Sequence, residues 1–248
     1  MLELALDWWS DVNHQAFCFT TIIILLWVEV VKILGKLGLL VPWQRRKALH
    51  ILTGPIYILT WTFFTDDSDG AMWAALVPFG MTVKFALIGT GLLKDEDAVL
   101  SVSRSGDKRE LLAGPLLYGL IFVAASLQFW KSARAVITLF ILCFGDGFAE
   151  IGGRKWGSKN KWRHNKSKSI AGSISFVLAA ILSILTYYFA IGRGIEGVFV
   201  LRVVFVSLFA AAIESLPIDS VDNVTVFLAA IYADGMLFRL LTLYNGSG

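Results

Sequence analysis

Apolar stretches of about 18 or more residues recur along almost the whole chain, and each could cross the roughly 30 Å hydrocarbon core of a bilayer. Only α-helices and closed β-barrels satisfy their backbone hydrogen bonds in lipid. These stretches lack the alternating polar and apolar pattern of barrel strands. Only 17% of the residues are charged, whereas a soluble domain carries about a quarter. The sequence therefore predicts an all-α fold, a polytopic transmembrane helical bundle.

The lengths of these stretches predict about seven or eight spans. The second and the fifth are short. No linker of low complexity and no internal repeat interrupts the chain, so we expect a single integral-membrane domain over residues 1–248. In chain order, the spans are expected near residues 15–34, 48–64, 71–93, 110–130, 134–151, 170–190, 197–215 and 223–243.

The loops between these spans differ in charge. Large basic loops follow spans one, three and five, and the positive-inside rule places such loops on the cytoplasmic or stromal face. With eight spans, alternation places the acidic loop at residues 214–223 on that same face. The polar clusters would then meet at one membrane surface, as an enzyme acting on a lipid headgroup or a lipid alcohol requires. A transporter keeps its charges near the midplane, and here Glu29, Lys84 and Arg202 are scattered.

Two carboxylates close the fifth apolar run. Asp146 lies between Gly145 and Gly147, and Glu150 follows four residues later, so a continuous helix would present both carboxylates on one face. The glycines would let a bulky ligand approach the backbone. A Mg²⁺ site in a phosphoryl-transfer enzyme uses one or two carboxylates, together with water and phosphate oxygens. The pair is thus a candidate metal site, and the alternative is that Asp146 only ends a span at the interface.

Residues 152–168 combine glycines with seven cations, and glycine-rich backbone beside cations is a common phosphate site. Lys168 and Ser169 then open the next apolar run like a helix N-terminus, which favours an anion. An anchor on anionic lipid would explain the charge but not the interleaved glycines and carboxylates. The segment is not a P-loop, because the spacing of that motif is missing. We therefore expect a phosphate group to bind here.

The order of these residues resembles the CTP-binding signature of the polyprenol kinases, the family of dolichol, phytol and farnesol kinases. Its elements here are Asp146, Ala149, Gly153, Gly157, Lys168, Ser169 and Gly172. Three further segments are similar to the phytol and farnesol kinase branch. They are Arg46-Lys47-Ala48-Leu49-His50, the loop at residues 103–116, and Glu214-Ser215-Leu216-Pro217 with Asp222-Asn223-Val224-Thr225-Val226. The resemblance covers residues from about 45 to 243.

The resemblance implies a kinase that transfers the γ-phosphoryl group of CTP, or of UTP, to a long isoprenoid alcohol, with phytol as the first choice. Asp146 and Glu150 would hold Mg²⁺, while Arg154 and Lys168 would neutralise the triphosphate. Asp222 would orient or deprotonate the alcohol. The remaining nucleotide contacts that the resemblance implies are Arg46, Lys47, Arg104, Gly153, Gly157, Ser169, Gly172 and Asn223, and the three glycines would make room for the phosphates.

Several of these assignments have an alternative. His50 is a proton relay or phosphate contact, or else an interfacial histidine satisfied by a neighbouring carbonyl. Arg104 is a phosphate contact, or part of an internal ion-pair network with Asp107 and Glu110. Asp219, Asp222 and Asn223 are expected on non-helical backbone after a break at Pro217, where they would serve the metal or alcohol site or else cap the last span.

The implied partners are CTP, the isoprenoid alcohol and the lipid bilayer, with no nucleic acid. The resemblance implies a chloroplast or cyanobacterial membrane, with the endoplasmic reticulum as an alternative. Two other functions stay open. One is a cytidylyltransferase that forms a CDP-lipid, since the CDP-diacylglycerol synthases are more distant relatives of these kinases. The other, from a different class, is a membrane transporter for an anionic solute.

Overall fold

The computed structural model of the chain describes residues 10–217 and 222–245. Helices make up most of this described part, which contains no β-strand element, so the predicted all-α fold is confirmed. The chain divides into two compact units, Met1–Ala135 and Val136–Gly248. The expectation of a single domain for the whole chain stays a prediction.

The first unit is built mainly from long apolar helices. They are α1 (Val12–Lys36), α2 (Pro42–Thr60), α3 (Ser68–Thr90), the short α4 (Glu96–Val102) and α5 (Gly114–Gln128), with 3₁₀ turns at Trp61–Phe63 and Lys108–Leu112. Helix α3 packs against α5, and α1 packs against α2 and α3. Asp11, Asp67 and Asp95 cap α1, α3 and α4 by accepting hydrogen bonds from backbone N–H groups near each helix start.

A buried hydrogen-bond network joins three helices of the first unit. The Tyr57 hydroxyl on α2 donates to the carbonyl oxygen of Ala74 on α3, at 2.9 Å. The same hydroxyl lies 2.8 Å from the Ser126 hydroxyl on α5. A polar group without a partner costs several kcal/mol in a hydrocarbon environment, so these contacts favour one relative placement of α2, α3 and α5.

The second unit surrounds one buried helical stretch. Its elements are α6 (Ala133–Phe140), whose first residues precede the unit boundary, a π-helical segment (Ile141–Asp146), α7 (Gly147–Trp156), α8 (Ile170–Ala190), α9 (Gly197–Glu214) and α10 (Asp222–Asn245). The π-helical segment packs against α8, α9 and α10. All residues from 135 to 143 are buried, so the helix that leads to Asp146 is held firmly in place.

Helices occupy the positions of all eight expected spans. Six stretches in the described part are long and apolar enough to cross a membrane. They are Val12–Lys36, Ser68–Thr90, Lys108–Gln128, Ala133–Trp156, Ile170–Ala190 and Gly197–Glu214. Helices α2 and α10 are not among these six. The first two turns of α2 carry Arg45, Arg46 and Lys47, which add charge to that end of the span.

The fifth expected span continues further than the sequence indicates. Its helix was expected to end near residue 151, but α7 ends at Trp156. Gly152, Gly153 and Arg154 therefore lie on a helix and not in the cationic loop. Adjacent glycines are poor helix formers, and here the packing of α7 against α8 compensates for that low propensity.

Candidate active site

Asp146 lies where the π-helical segment ends and α7 begins. Its backbone is helical, with φ −62° and ψ −40°, so the helix runs through to Glu150 and the predicted i, i+4 spacing on one face is confirmed. π-Helical turns are frequent at functional sites. An added Cβ on Gly145 would lie 2.8 Å from the Phe176 ring. That glycine therefore accommodates α8. The sequence had suggested that it opens the backbone to a ligand, and the ring of Phe176 occupies that space instead.

Glu150 forms an ion pair with Arg154, the predicted phosphate contact one turn further along α7. Its Oε1 accepts hydrogen bonds from Arg154 Nε at 3.0 Å and from Arg154 Nη2 at 2.9 Å. The pair has the i, i+4 geometry that stabilises exposed helices. A metal ion at Glu150 would have to compete with this guanidinium, so Glu150 is better suited to orient Arg154 than to bind metal as the leading ligand.

Lys168 pairs with Glu214 and lies close to two further carboxylates. The carboxylate of Glu214 ends α9, and its side chain is only 3% exposed. Burial lowers the pKa of Lys168, but the carboxylates of Glu214, Asp146 and Asp222 outweigh that effect and raise the pKa above its ordinary value. The charges of three acidic side chains from different helices therefore act on one ammonium group in the second unit.

The cationic loop between α7 and α8 is anchored on the residues that follow α9. His164 Nε2 lies 3.0 Å from the carbonyl oxygen of Ser215 and 3.1 Å from its hydroxyl. Asn165 Nδ2 donates to the carbonyl oxygens of Ser215, at 3.2 Å, and of Leu216, at 3.1 Å. These contacts bring the basic loop and the Glu-Ser-Leu-Pro motif together at one end of the helices of the second unit. The two segments therefore lie on the same face, as the count of spans predicts.

Two glycines of the signature, Gly157 and Gly172, serve the packing of α7 against α8. An added Cβ on Gly157 would lie 2.3 Å from both the carbonyl oxygen of Gly153 and the hydroxyl of Ser169. On Gly172 it would lie 3.0 Å from the carbonyl oxygen of Ala149. The expectation that these glycines leave open room for phosphates is therefore wrong, because protein atoms fill the space. A contact between their backbone and the nucleotide stays a prediction.

Ser169 is the N-cap of α8, which confirms the predicted helix N-terminus. Its buried hydroxyl accepts a hydrogen bond from the Gly172 N–H at 3.1 Å, which is the usual capping geometry. The cap holds Lys168 at the start of the helix, next to Glu214. A direct contact of the Ser169 hydroxyl with nucleotide stays a prediction.

Asp222 and Asn223 are the first residues of α10. The expectation of non-helical backbone at these two positions is therefore wrong, while Asp219 lies outside the described residues. Asp222 Oδ1 accepts a hydrogen bond from the Asn223 N–H at 3.0 Å. A carboxylate in the first turn interacts favourably with the helix dipole, which explains why the helix starts at this acidic residue.

The predicted contacts at the start of α2 belong to the first unit. Lys47 is buried, and Arg46 and His50 are half-buried. The Tyr118 hydroxyl donates to the His50 carbonyl oxygen at 2.7 Å, and the two ring centroids are 4.8 Å apart. This packing explains the position of His50 without a ligand, and a role for these residues in phosphate binding stays a prediction.

Arg104 also belongs to the first unit, in an exposed loop that Glu110 organises. The Glu110 carboxylate accepts hydrogen bonds from the backbone N–H groups of Arg104 and Ser105, the latter at 3.0 Å. Asp107 caps the 3₁₀ turn that follows by accepting from the Arg109 N–H at 2.8 Å. The acidic residues of this loop thus bind its backbone through hydrogen bonds, and the expected ion-pair network stays a prediction.

The donor set around Lys168 suits Mg²⁺ bound together with a nucleotide. Among the described residues, no group of three or more His, Cys, Asp or Glu side chains could hold a metal ion. Magnesium needs less from the protein when phosphate and water oxygens complete its shell. Asp146 and Asp222 provide hard carboxylate oxygens within electrostatic reach of Lys168 and Glu214.

Sequence comparisons decide the family. The chain is 41% identical over 219 residues to "Farnesol kinase, chloroplastic" of Arabidopsis thaliana, and the match covers 86% of this chain and 70% of that protein. The chain belongs to the family of phytol and farnesol kinases. This membership confirms the resemblance inferred from the four motifs.

Further members of the phytol and farnesol kinase family are similar to the chain and support the same assignment. "Probable phytol kinase 1, chloroplastic" of Glycine max is 40% identical over 194 residues, which cover 75% of this chain and 64% of that protein. "Phytol kinase 1, chloroplastic" of Arabidopsis thaliana is 37% identical over 201 residues, which cover 78% of this chain and 66% of that protein. No protein-family model matches the chain. No solved structure gives a significant match.

Glu214 is the member of this candidate site that sequence reasoning missed. It was recognised as part of a motif but was not assigned to the site. A signal was present, because a carboxylate at the end of an apolar span is expensive to bury and marks a functional position. His164 and Asn165, which anchor the cationic loop, carried no such signal and are recognised only from their contacts with Ser215.

Proposed function

We propose that this protein is a membrane-embedded prenol kinase that transfers the γ-phosphoryl group of CTP to the hydroxyl of a long isoprenoid alcohol. The relatives carry both phytol and farnesol kinase names, and phytol is the acceptor that we propose. All of these relatives are named chloroplastic, and the described part of the chain has six apolar helices of spanning length. We therefore place it in a chloroplast membrane.

One observation carries the assignment of the site within this function. Lys168 pairs with Glu214 and lies within electrostatic range of Asp146 and Asp222, and the cationic loop is fastened to Ser215 beside Glu214. Phosphoryl transfer asks the protein mainly to position the reactants and to stabilise charge on the phosphate oxygens. A cation among several carboxylates supports both tasks, because it can neutralise phosphate while the carboxylates hold a metal and a hydroxyl.

In the proposed reaction, the oxygen of the alcohol attacks the γ-phosphorus and the bond to the β-phosphate oxygen breaks, so that CDP leaves. The proton of the hydroxyl passes to Asp222, which also orients the alcohol. Lys168 neutralises the triphosphate together with Arg154, which Glu150 orients. Asp146, with Glu150 as a weaker candidate, would hold Mg²⁺, which would supply positive charge to offset the charge of the phosphate groups.

The first-unit residues Arg46, Lys47, His50 and Arg104 are proposed as additional nucleotide contacts on the strength of the family motifs alone. The family motifs alone also support nucleotide contacts in the second unit. These residues are Gly153, Gly157, Ser169, Gly172 and Asn223. UTP is the alternative donor. These assignments are independent of the Lys168 cluster, so the loss of one of them would leave the central proposal intact.

Both rival functions lack support among the relatives, which carry kinase names. A cytidylyltransferase would release pyrophosphate from CTP, whereas the kinase releases CDP. A transporter of an anionic solute would move that solute across a sealed membrane without nucleotide. Arg202, one of the scattered charges within the spans, is paired with Asp234 at 2.5 Å, so it is not an isolated charge at mid-span.

A single assay tests the function. The purified protein in lipid nanodiscs is incubated with γ-labelled CTP, UTP or ATP and, in turn, with geraniol, farnesol, geranylgeraniol and phytol. We expect labelled prenyl monophosphate and an equal amount of CDP, and we expect excess EDTA to stop the reaction. Pyrophosphate as the product would support the cytidylyltransferase, and the absence of label in every prenol would contradict the kinase proposal.

A further inference from the structure

An apolar groove runs along the second unit between α8 and α9. Its volume is about 420 Å³, within the range of roughly 300–1,000 Å³ that is typical of small-molecule sites. Its walls are formed mainly by one face of each helix, with Ile170, Ile174 and Leu178 on α8 and Leu208, Ala212 and Ser215 on or just after α9. These spacings of three and four residues place each set on one side of its helix.

The groove is open along its length and is oriented along the helices. Ile174 is 55% exposed, and Leu178 and Leu208 are each 54% exposed, so the apolar walls are accessible from the side. From Ile170 to Leu178 the helix rises by about 12 Å, at 1.5 Å per residue. Half of a bilayer core measures about 15 Å. An extended hydrocarbon chain could therefore lie in the groove within one leaflet.

One end of the groove is polar and lies beside the proposed active site. Trp162 from the cationic loop donates from Nε1 to the Ser173 hydroxyl at 3.0 Å, and both residues line this end. Ser215 lines it as well and directly follows Glu214. The backbone N–H of Trp162 donates to the carbonyl oxygen of Lys168 at 3.2 Å. The mouth of the groove is thus tied to the ion pair.

We propose that this groove holds the isoprenoid chain of the alcohol, with the hydroxyl at the mouth between Trp162 and Ser215. This inference rests on the proposed function, which supplies an acceptor with a long apolar tail and one hydroxyl. The chain lies against the stripe of Ile174, Leu178 and Leu208. The hydroxyl reaches the surface next to Glu214 and Lys168, where the phosphoryl group arrives.

The polar groups at the mouth favour an alcohol over a membrane phospholipid. The lining side chains there are two hydroxyls and an indole, Ser173, Ser215 and Trp162, which are neutral and suit an uncharged hydroxyl. Lys168 and the buried Glu214 carboxylate neutralise each other, so before nucleotide binds this ion pair offers no net positive charge to a phosphodiester head group. A neutral head group with a single apolar chain therefore fits the mouth and the groove together.

Photoaffinity labelling tests the inference without requiring turnover. A phytol analogue with a diazirine near the end of its chain is irradiated with the protein in phosphatidylcholine nanodiscs, and the labelled peptides are mapped. We expect label on the α8 and α9 segments around Leu178 and Leu208, displaced by excess phytol but not by excess phosphatidylglycerol. Label on other helices, or equal displacement by phosphatidylglycerol, would overturn the proposal.

Two variants refine the test. Leu208→Trp fills the inner end of the groove, and Leu228→Trp is the matched control, since Leu228 lies on α10 with a similar exposure of 57%. We expect Leu208→Trp to reduce labelling strongly and to raise the KM for phytol by about tenfold, with a smaller rise for geraniol. Leu178→Trp obstructs the groove from α8 and should act in the same way. Equal effects of Leu208→Trp and Leu228→Trp would contradict the groove.

The two proposals fail in distinguishable ways. If the wild-type protein phosphorylates prenols while the label falls outside α8 and α9, the groove is refuted and the kinase stands. If displaceable label falls on the groove but no prenol is phosphorylated, the kinase is refuted and the prenol-binding groove stands. Thermal unfolding of each variant, measured in the same nanodiscs, separates a blocked groove from a protein that fails to fold.

Discussion

Lys168 and Glu214 form an ion pair that joins the start of α8 to the end of α9. The partly buried ammonium is held by the almost fully buried carboxylate, and Asp146 and Asp222 act on the same group. The cation proposed to bind the triphosphate is therefore also a structural connection between two helices. Phosphate would compete with Glu214 for Lys168, so the binding of nucleotide and the packing of α8 and α9 are expected to be coupled.

The first prediction concerns this ion pair. Lys168→Met leaves the buried carboxylate of Glu214 without its main partner, and we expect a loss of about 3 kcal/mol in the free energy of unfolding. Adding Glu214→Gln should recover part of that loss, because no buried charge then remains. Unfolding in mixed micelles with increasing SDS measures all four proteins of the double-mutant cycle. A coupling of about 1–3 kcal/mol is expected, and additive losses would show that the pair contributes nothing.

The second prediction separates chemistry from folding at Asp146. Asp146→Asn keeps the shape of the side chain but removes the charge proposed to hold the metal. We expect kcat to fall by about a hundredfold or more, while the protein still inserts into membranes and unfolds at a similar temperature. Asp69→Asn, at an exposed position in the first turn of α3, is the control and should keep full activity. Wild-type turnover in Asp146→Asn would refute the metal assignment.

The third prediction concerns the contact of α7 with α8 at Gly157. An added Cβ there would lie 2.3 Å from backbone and side-chain atoms, so Gly157→Ala must displace Ser169 or the end of α7. We expect a destabilisation of about 1–3 kcal/mol, as for other overpacked sites. The same substitution at Gly194, where an added Cβ would point into open space, should be neutral or slightly stabilising. Thermal unfolding of both variants in nanodiscs makes the comparison, and equal stability would contradict the close contact.

The fourth prediction concerns the anchor of the cationic loop. Asn165 is buried and bonds to the carbonyl oxygens of Ser215 and Leu216, so Asn165→Ala should release the loop from the end of α9. We expect trypsin to cleave after Lys161 or Arg163 at least several times faster, and the KM for CTP to rise. Ser158→Ala, an exposed position in the same loop, should leave both quantities unchanged. Unaltered proteolysis of Asn165→Ala would show that other contacts hold the loop.

The positions of the helices could be predicted from the sequence because the hydrophobic requirement of a bilayer extends over whole segments. Helix ends depend on single contacts, and these contacts are harder to predict from the sequence. The continuation of α7 to Trp156 depends on its packing against α8, which no local pattern reveals. Likewise, Asp222 was expected before α10 and lies in its first turn, because an acidic residue is compatible with either position.

The residues of the candidate site could be predicted as a set, but their contacts could not. The motif spacing indicated Asp146, Lys168 and Asp222, and the structure brings these three into electrostatic contact. The central position of Glu214 depends on how α8 and α9 approach each other, which is a tertiary property. The glycines were misread because a small residue can make room either for a ligand or for a neighbouring helix. Convergence of the first-unit motifs on the same membrane face stays a prediction.

The fifth prediction concerns a charged pair inside the apolar part of the second unit. Arg202 Nε on α9 donates to Asp234 Oδ1 on α10 at 2.5 Å, and the Asp234 side chain is fully buried. Charges within membrane helices are often functional, and Arg202 was one of the residues considered for a transporter. The position of the pair between two packed helices indicates instead that it holds α9 against α10.

Arg202→Leu alone should therefore lower the free energy of unfolding by about 3–5 kcal/mol, because it leaves the buried Asp234 without this cation. The double variant Arg202→Leu with Asp234→Leu removes both charges, and we expect it to recover most of the stability, since an apolar pair often replaces a buried ion pair at little cost. We expect kinase turnover to fall in the destabilised single variant and to recover in the double variant. A double variant that is stable but inactive would show that the pair takes part in function and not only in the packing of α9 against α10.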